Sequence, residues 1–199
     1  LEEVTVAIEG FGNVGSFTFD YLSKMGANIV AVSDSKGVIY NKDGLDFEKV
    51  SSVKEKSGSV VNYKPGKVLS NKEIFELPVD ILIPAALPDV INKNNFDKVK
   101  AKIIVEAANI PMTPETEAKL HKKGILVVPD FVANSGGVIS SYAEYRGYNP
   151  KKMFALVERK ITRNVKLVLK ISKRENLNPR NTALSIAKER VKKAMAKVK

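Results

Sequence analysis

The 199 residues contain no cysteine, no tryptophan and a single histidine. Without cysteine the chain forms no disulfide, builds no thiolate metal site and offers no thiol nucleophile, which fits a reducing compartment such as the cytoplasm. His121 stands alone, which excludes a histidine dyad or a multi-histidine metal centre, and no metal is expected. No apolar run is long enough for a bilayer span, so no membrane partner is expected. The opening Leu1-Glu2-Glu3 enters an apolar run at once and lacks the layout of a secretory signal. The absence of an initiator Met suggests a piece of something longer. Acidic groups are scarce towards one end. From residue 151 to 199 there are 16 Lys and Arg against 3 Asp and Glu, a net of +13. The first 150 residues hold 17 against 19, a net of −2, and the chain totals +11.

What is present alternates short β-branched runs with amphipathic stretches. Strands are expected at Thr5–Glu9, Ile29–Ser33, Asp80–Pro84, Lys102–Glu106 and Ile125–Val128, with a small extended excursion at Val38–Tyr40. Val14, Phe17, Tyr21 and Met25, at spacings of 3, 4 and 4, define one face of a helix that Gly26 stops. A helix is expected from Leu45 to about Lys56. Ser70 and Glu73 have capping-box spacing before a short helix through Leu77, and another is expected around Asn94–Val99. Thr113-Pro114-Glu115 reads as a helix start, and Lys122-Lys123-Gly124 as its end. His121 reads as a dipole partner there. Two long amphipathic helices follow. One carries Phe154, Val157, Ile161, Val165 and Val168, and the other Ala183, Ile186, Ala187, Val191, Ala194 and Val198. Strands separated by helices imply a parallel sheet covered on both faces.

The stretch VAIEGFGNVGSFTFDYL places GxGxxG between a strand and a helix. Each glycine has a physical job: Gly10 permits the tight turn, Gly12 lets backbone approach a pyrophosphate, and Gly15 lets the helix pack on the strand. The first N–H groups of the helix then face the phosphate with the dipole in their favour. Asp34 follows Gly15 by 19 residues and closes the next strand, where a carboxylate can accept from the adenosine ribose of NAD. Lys36, two residues on, can offset the repulsion of a 2′-phosphate, so NAD and NADP both stay open. The fold class is therefore α/β, a Rossmann-like doubly wound sheet with C-terminal helices.

Four segments go beyond a generic dinucleotide fold. GFGNVG, PAALPDVI, VEAANIPMTPE and VVPDFVANSGGVISSYAEY closely resemble the cofactor-binding domain of glutamate dehydrogenase of the hexameric prokaryotic or archaeal kind, in the amino acid dehydrogenase superfamily. The resemblance covers nearly the whole chain. It implies that Gly10, Gly12, Asn13, Val14 and Gly15 form the pyrophosphate turn and that Asp34 holds the ribose position. It further implies that Ala85 and Ala86 carry backbone along the cofactor and that Asn109 lies near the nicotinamide ribose. Asn134 resembles the residue bonding the carboxamide, and Val138 and Ser141 resemble residues that meet the substrate, the serine taking the γ-carboxylate of glutamate. The resemblance implies NAD(P)-dependent oxidative deamination of L-glutamate to 2-oxoglutarate and ammonia. In the family a separate N-terminal substrate domain supplies the catalytic lysine and aspartate, so no residue here is assigned a catalytic role. The isolated chain is expected to be inactive. The expected division is a cofactor domain at 1–149 and a helical segment at 150–199 that returns toward the substrate domain.

Two other readings compete. A leucine, phenylalanine or valine dehydrogenase shares the cofactor domain, but an apolar pocket gains nothing from the hydroxyl of Ser141. A nucleic-acid-binding module would explain the basic end. After Phe154, however, there is no aromatic residue to stack a base, and no nucleic-acid partner is expected. The cations read as solvated helix faces, of the kind that carry ion-pair networks in thermophile proteins.

Overall fold

The computed structural model describes residues 2–197. It divides into two compact units, Leu1–Leu126 and Val127–Lys199. The boundary drawn from sequence at residue 150 falls inside the second.

The first unit is built on β1 (Thr5–Glu9), β2 (Asn28–Asp34), β3 (Gly37–Tyr40), β4 (Lys67–Leu69), β5 (Ile81–Pro84) and β6 (Ile103–Val105), with helices α1 (Asn13–Lys24), α2 (Phe47–Ser57) and α3 (Pro114–Lys122). With β7 (Leu126–Val128) the sheet order is β4-β3-β2-β1-β5-β6-β7. Strands β2, β1, β5 and β6 pair in parallel. Their apolar residues, among them Val6, Ile8, Ile29, Val32 and Ile83, are buried with Phe19 of α1 and Val50 of α2. The fully parallel expectation is corrected at one edge, because β3 runs antiparallel to β2 and β4 antiparallel to β3. Only Ser35 and Lys36 separate β2 from β3, far too few residues for a parallel crossover. Strand β4, three residues long, was too short to show a period in the sequence.

Local signals hold where a cap is encoded. Asp46 caps α2 by accepting from the Lys49 N–H at 2.9 Å, and Thr113 caps α3 before Pro114. The Glu73 carboxylate accepts from the Ser70 N–H and hydroxyl at 2.7 and 2.8 Å. Only 3₁₀ turns follow there and at the expected Asn94–Val99 helix, over Glu73–Glu76 and Phe96–Lys98.

Helix α1 forms where expected but turns a different face inward. Val14, Phe17, Tyr21 and Met25 are exposed, while Gly15 and Phe19 are buried and Leu22 packs on the core. Glycine adds nothing to a hydrophobic count, so the apolar period pointed to the wrong side.

The second unit contains α4 (Asp130–Ala133), α5 (Gly136–Tyr145), α6 (Pro150–Glu175) and α7 (Pro179–Met195). Helix α6 packs against α4, α5 and α7. Val132, Val168 and Ala183 are buried together, with Val165 and Ile186 packed against them. Phe154 and Val191 of the two expected stripes are exposed, and Val198 lies outside the described residues. Among the described residues no helix is long and apolar enough to cross a membrane.

Candidate functional site

From β1 the chain runs outward through β2, β3 and β4, then returns to β5 on the other side of β1. Ligands of such sheets gather beyond the carboxyl ends of the strands where the order reverses. A cleft of about 1000 Å³ opens there in the first unit. It brings together seven of the sequence-predicted residues: Gly10, Gly12, Asn13 and Val14 after β1, Asp34 at the end of β2, and Ala85 and Ala86 after β5.

The three glycines differ in what a side chain would meet. Gly10 sits at φ +107°, and a Cβ there would lie 2.7 Å from the Cβ of Ala86. At Gly15 a Cβ would stand 1.9 Å from the Gly10 carbonyl oxygen, so this position carries the helix onto the turn and does not line the cleft. At Gly12 a Cβ would meet nothing within 4 Å. Gly12 is the N-cap of α1 and puts no side chain on the first-turn N–H groups, and that turn holds no acidic residue. The donors of an α-helix's first turn have no intrahelical partner, and the dipole makes them attractive to an anion. A pyrophosphate fits this place, because open space lies where any other residue would project a side chain.

Two buried polar residues missed in the sequence brace the turn. The Glu9 carboxylate accepts from the backbone N–H groups of Ala85 and Ala86 at 3.2 Å each, and the Ser33 hydroxyl accepts from the Gly10 N–H at 3.0 Å. Burial pushes the Glu9 carboxyl above its ordinary pKa, against the lowering effect of those two N–H groups. Nothing local in TVAIE marks Glu9, and only the neighbouring β5 explains it.

Asp34 is also heavily engaged. Its carboxylate accepts from the Lys54 ammonium (2.8 Å), the Lys36 N–H (2.8 Å), the Val60 N–H (2.9 Å) and the Ser59 hydroxyl (3.1 Å). Burial opposes its charge, but these four donors together hold its pKa below the usual carboxylate value. Lys54 lines the cleft and was missed, since nothing local in α2 marks it. Lys36 is exposed and does not line the cleft.

The remaining predicted residues lie elsewhere. Asn109 is exposed in the loop after β6. In the second unit Asn134 ends α4, its N–H donating to the Asp130 carbonyl at 2.7 Å. Val138 and Ser141 are exposed on α5, and the Ser141 hydroxyl donates to the Gly137 carbonyl at 3.1 Å. Asp130 forms an ion pair with Arg180 at 2.9 Å, and the Lys123 ammonium donates to the Asp97 carbonyl at 2.6 Å, so both have structural partners.

By sequence and by structure the chain is similar to amino acid dehydrogenases. A glutamate dehydrogenase of Aeropyrum pernix is 47% identical over 98% of this chain and 49% of its own length. An NADP-specific glutamate dehydrogenase of Saccharolobus shibatae is 41% identical, with 98% and 48% covered. Among solved structures, the hetero-hexameric glutamate dehydrogenase of Thermus thermophilus superposes with a TM-score of 0.85 at 32% identity, covering 97% of this chain and 47% of that one. The L-tryptophan dehydrogenase of Nostoc punctiforme superposes at 0.78 with 31% identity, covering 98% and 53%. The chain spans about half the length of the curated relatives it matches. Residues 1–198 match the family model for glutamate/leucine/phenylalanine/valine dehydrogenases, and the chain belongs to that family.

Proposed function

We propose that the first unit binds a nicotinamide dinucleotide and that these residues serve an enzyme that oxidatively deaminates L-glutamate to 2-oxoglutarate and ammonia. One observation carries the reading. At the switch point of the sheet, Gly10 and Gly15 are sterically required, while Gly12 opens onto free space at an uncapped helix start. The bound nicotinamide would supply hydride acceptance. The protein's own part is orientation. The α1 N-terminus and the backbone of the glycine turn hold the pyrophosphate, and Glu9 keeps the Ala85–Ala86 backbone beside it. Asn109, Asn134, Val138 and Ser141 are assigned to the nicotinamide and substrate end on the family resemblance. Glutamate is preferred to an apolar amino acid because Ser141 offers a hydroxyl, and because the relatives at 41–47% identity are named glutamate dehydrogenases. In this reading the segment from residue 150 returns toward a substrate domain, and the full-length enzyme is a cytoplasmic hexamer.

Calorimetric titration of the 199-residue chain tests the proposal. Saturable binding of NAD or NADP is expected, without glutamate-dependent reduction of either. Positioned proton transfer is worth about 10²–10⁴-fold, and its expected donors are not among these residues. No dinucleotide binding would overturn the cofactor site. Turnover near the ordinary enzyme rate of about 10 s⁻¹ would overturn the division of labour.

A further inference from the structure

We propose that Glu9 touches the cofactor as well as bracing the turn: its unused carboxylate oxygen accepts a hydrogen bond from a hydroxyl of the ribose that carries the nicotinamide. The inference rests on the cleft being a dinucleotide site.

Three carboxylates line the cleft, those of Glu9, Asp34 and Glu76. A carboxylate offers about four lone-pair positions. In Asp34 they are taken by the Lys36 N–H and the Ser59 hydroxyl on Oδ1 and by the Lys54 ammonium and the Val60 N–H on Oδ2. Glu76 faces solvent, with 37% of its side chain exposed and the Lys98 ammonium 3.4 Å away. Glu9 differs from both. It is only 8% exposed, and both of its hydrogen bonds fall on Oε2, which takes the Ala85 and Ala86 N–H groups at 3.2 Å each. Oε1 accepts from no group among the described residues and opens on the cleft that Glu9 lines.

Burial opposes the charge of Glu9, but the Ala86 and Ala85 N–H groups favour it. A carboxylate accepts and does not donate, so whatever meets Oε1 must bring a donor. A pyrophosphate brings none and is repelled. A ribose brings hydroxyls. Position decides which ribose. The sheet order sets β1 between β2 and β5. The pyrophosphate belongs at the glycine turn after β1 and the adenosine at the end of β2, which leaves the second ribose on the side of β5. Glu9 is tied to that side through Ala85 and Ala86, just past β5. A hydroxyl arriving there completes the carboxylate without disturbing either existing bond. Because those bonds already hold the side chain, accepting the hydroxyl costs little further ordering.

The test is calorimetric titration of two ligands against the parent chain and Glu9→Gln. One ligand is NAD, and the other is NAD whose nicotinamide ribose is 2′,3′-dideoxy. The two carry the same charge, so repulsion between Glu9 and the pyrophosphate cancels in the ratio of their affinities. The parent is expected to prefer NAD. Glu9→Gln keeps an oxygen for the Ala85 and Ala86 N–H groups but replaces the other with an amide. It should lower the ratio by about 10-fold, the low end for a hydrogen bond to a charged group, since the amide can still donate to a hydroxyl. If Glu9→Gln does not fold, Glu9→Asp keeps the charge while drawing the oxygens back by one methylene, and the same fall in the ratio is expected. A parent that binds both ligands equally, or a ratio that the variant leaves unchanged, would overturn the inference and confine Glu9 to bracing the turn, with the dinucleotide site still in place. A parent that binds neither would overturn the site and the inference together.

Discussion

The Gly10 carbonyl oxygen occupies the place where a side chain at Gly15 would begin, 1.9 Å from an ideal Cβ. The glycine turn and the first turn of α1 therefore touch backbone to backbone. Gly15→Ala must push them apart and should cost about 1–3 kcal/mol, as overpacking does. Gly12→Ala meets no atom within 4 Å and sits at φ −90°, so stability should hold while the new methyl group blocks the pyrophosphate. Thermal melts and dinucleotide titrations separate the two. A Gly12→Ala chain that binds dinucleotide as tightly as the parent would remove the turn from the site.

Acid should weaken the first unit through Asp80. This carboxylate accepts from the Lys102 ammonium at 2.7 Å and from the Thr5 N–H and hydroxyl at 2.9 and 2.8 Å. Lys102 first, then the two Thr5 donors, hold its pKa far below the usual carboxylate range. A folded-state pKa below the unfolded one, roughly 3.9, means stability is present above that value and is lost as pH falls through the folded pKa. Asp34 is shifted the same way and adds to the acid limb. With Lys102 largely exposed, screening reduces the contribution of Asp80 to about 1 kcal/mol. Asp80→Asn should be less stable at pH 7 and less sensitive to pH below about 4. Parallel acid limbs for variant and parent in urea melts would contradict this.

The Asp130–Arg180 pair should matter more than an ordinary surface ion pair. Its side chains are 11% and 14% exposed, and Arg180 also lies over the Phe131 ring at 5.2 Å. Removing one partner of a buried pair typically costs about 3–5 kcal/mol, because the other charge is left in a poor solvent. Arg180→Met should approach the lower end of that range. Arg180→Met with Asp130→Leu should recover part of it. Strictly additive losses in denaturant titrations would show that the two residues do not act as a pair.

Ser141→Val, made in an enzyme of the family's full length, tests the substrate assignment. The hydroxyl donates to the Gly137 carbonyl here and must turn to donate to a γ-carboxylate. That competition puts the expected loss in kcat/KM for glutamate near the low end of the range, about 10-fold. Norvaline, with no γ-carboxylate, should lose little or nothing. Equal losses for both substrates would confine Ser141 to bracing its own helix and favour an apolar amino acid.

By itself the sequence was enough to locate the glycine turn and most of the elements around it. The reason is that these features are local. Three glycines at fixed spacing and a proline after Thr113 act on the backbone within one or two turns of where they stand. Apolar runs such as VAI and IVAV declare buried strands in the same way. What the tertiary structure decided depends on residues far apart in the chain. The inner face of α1 was set by the Gly10–Gly15 contact, which carries no hydrophobic weight in the sequence. The direction of β3 followed from pairing across a two-residue turn. Asp34 is read in isolation as an open carboxylate, yet its donors come from 20, 25 and 26 residues downstream as well as from the adjacent turn. A charge's meaning depends on whether its hydrogen bonds are already made, and only the folded chain brings Lys54, Ser59 and Val60 to that carboxylate.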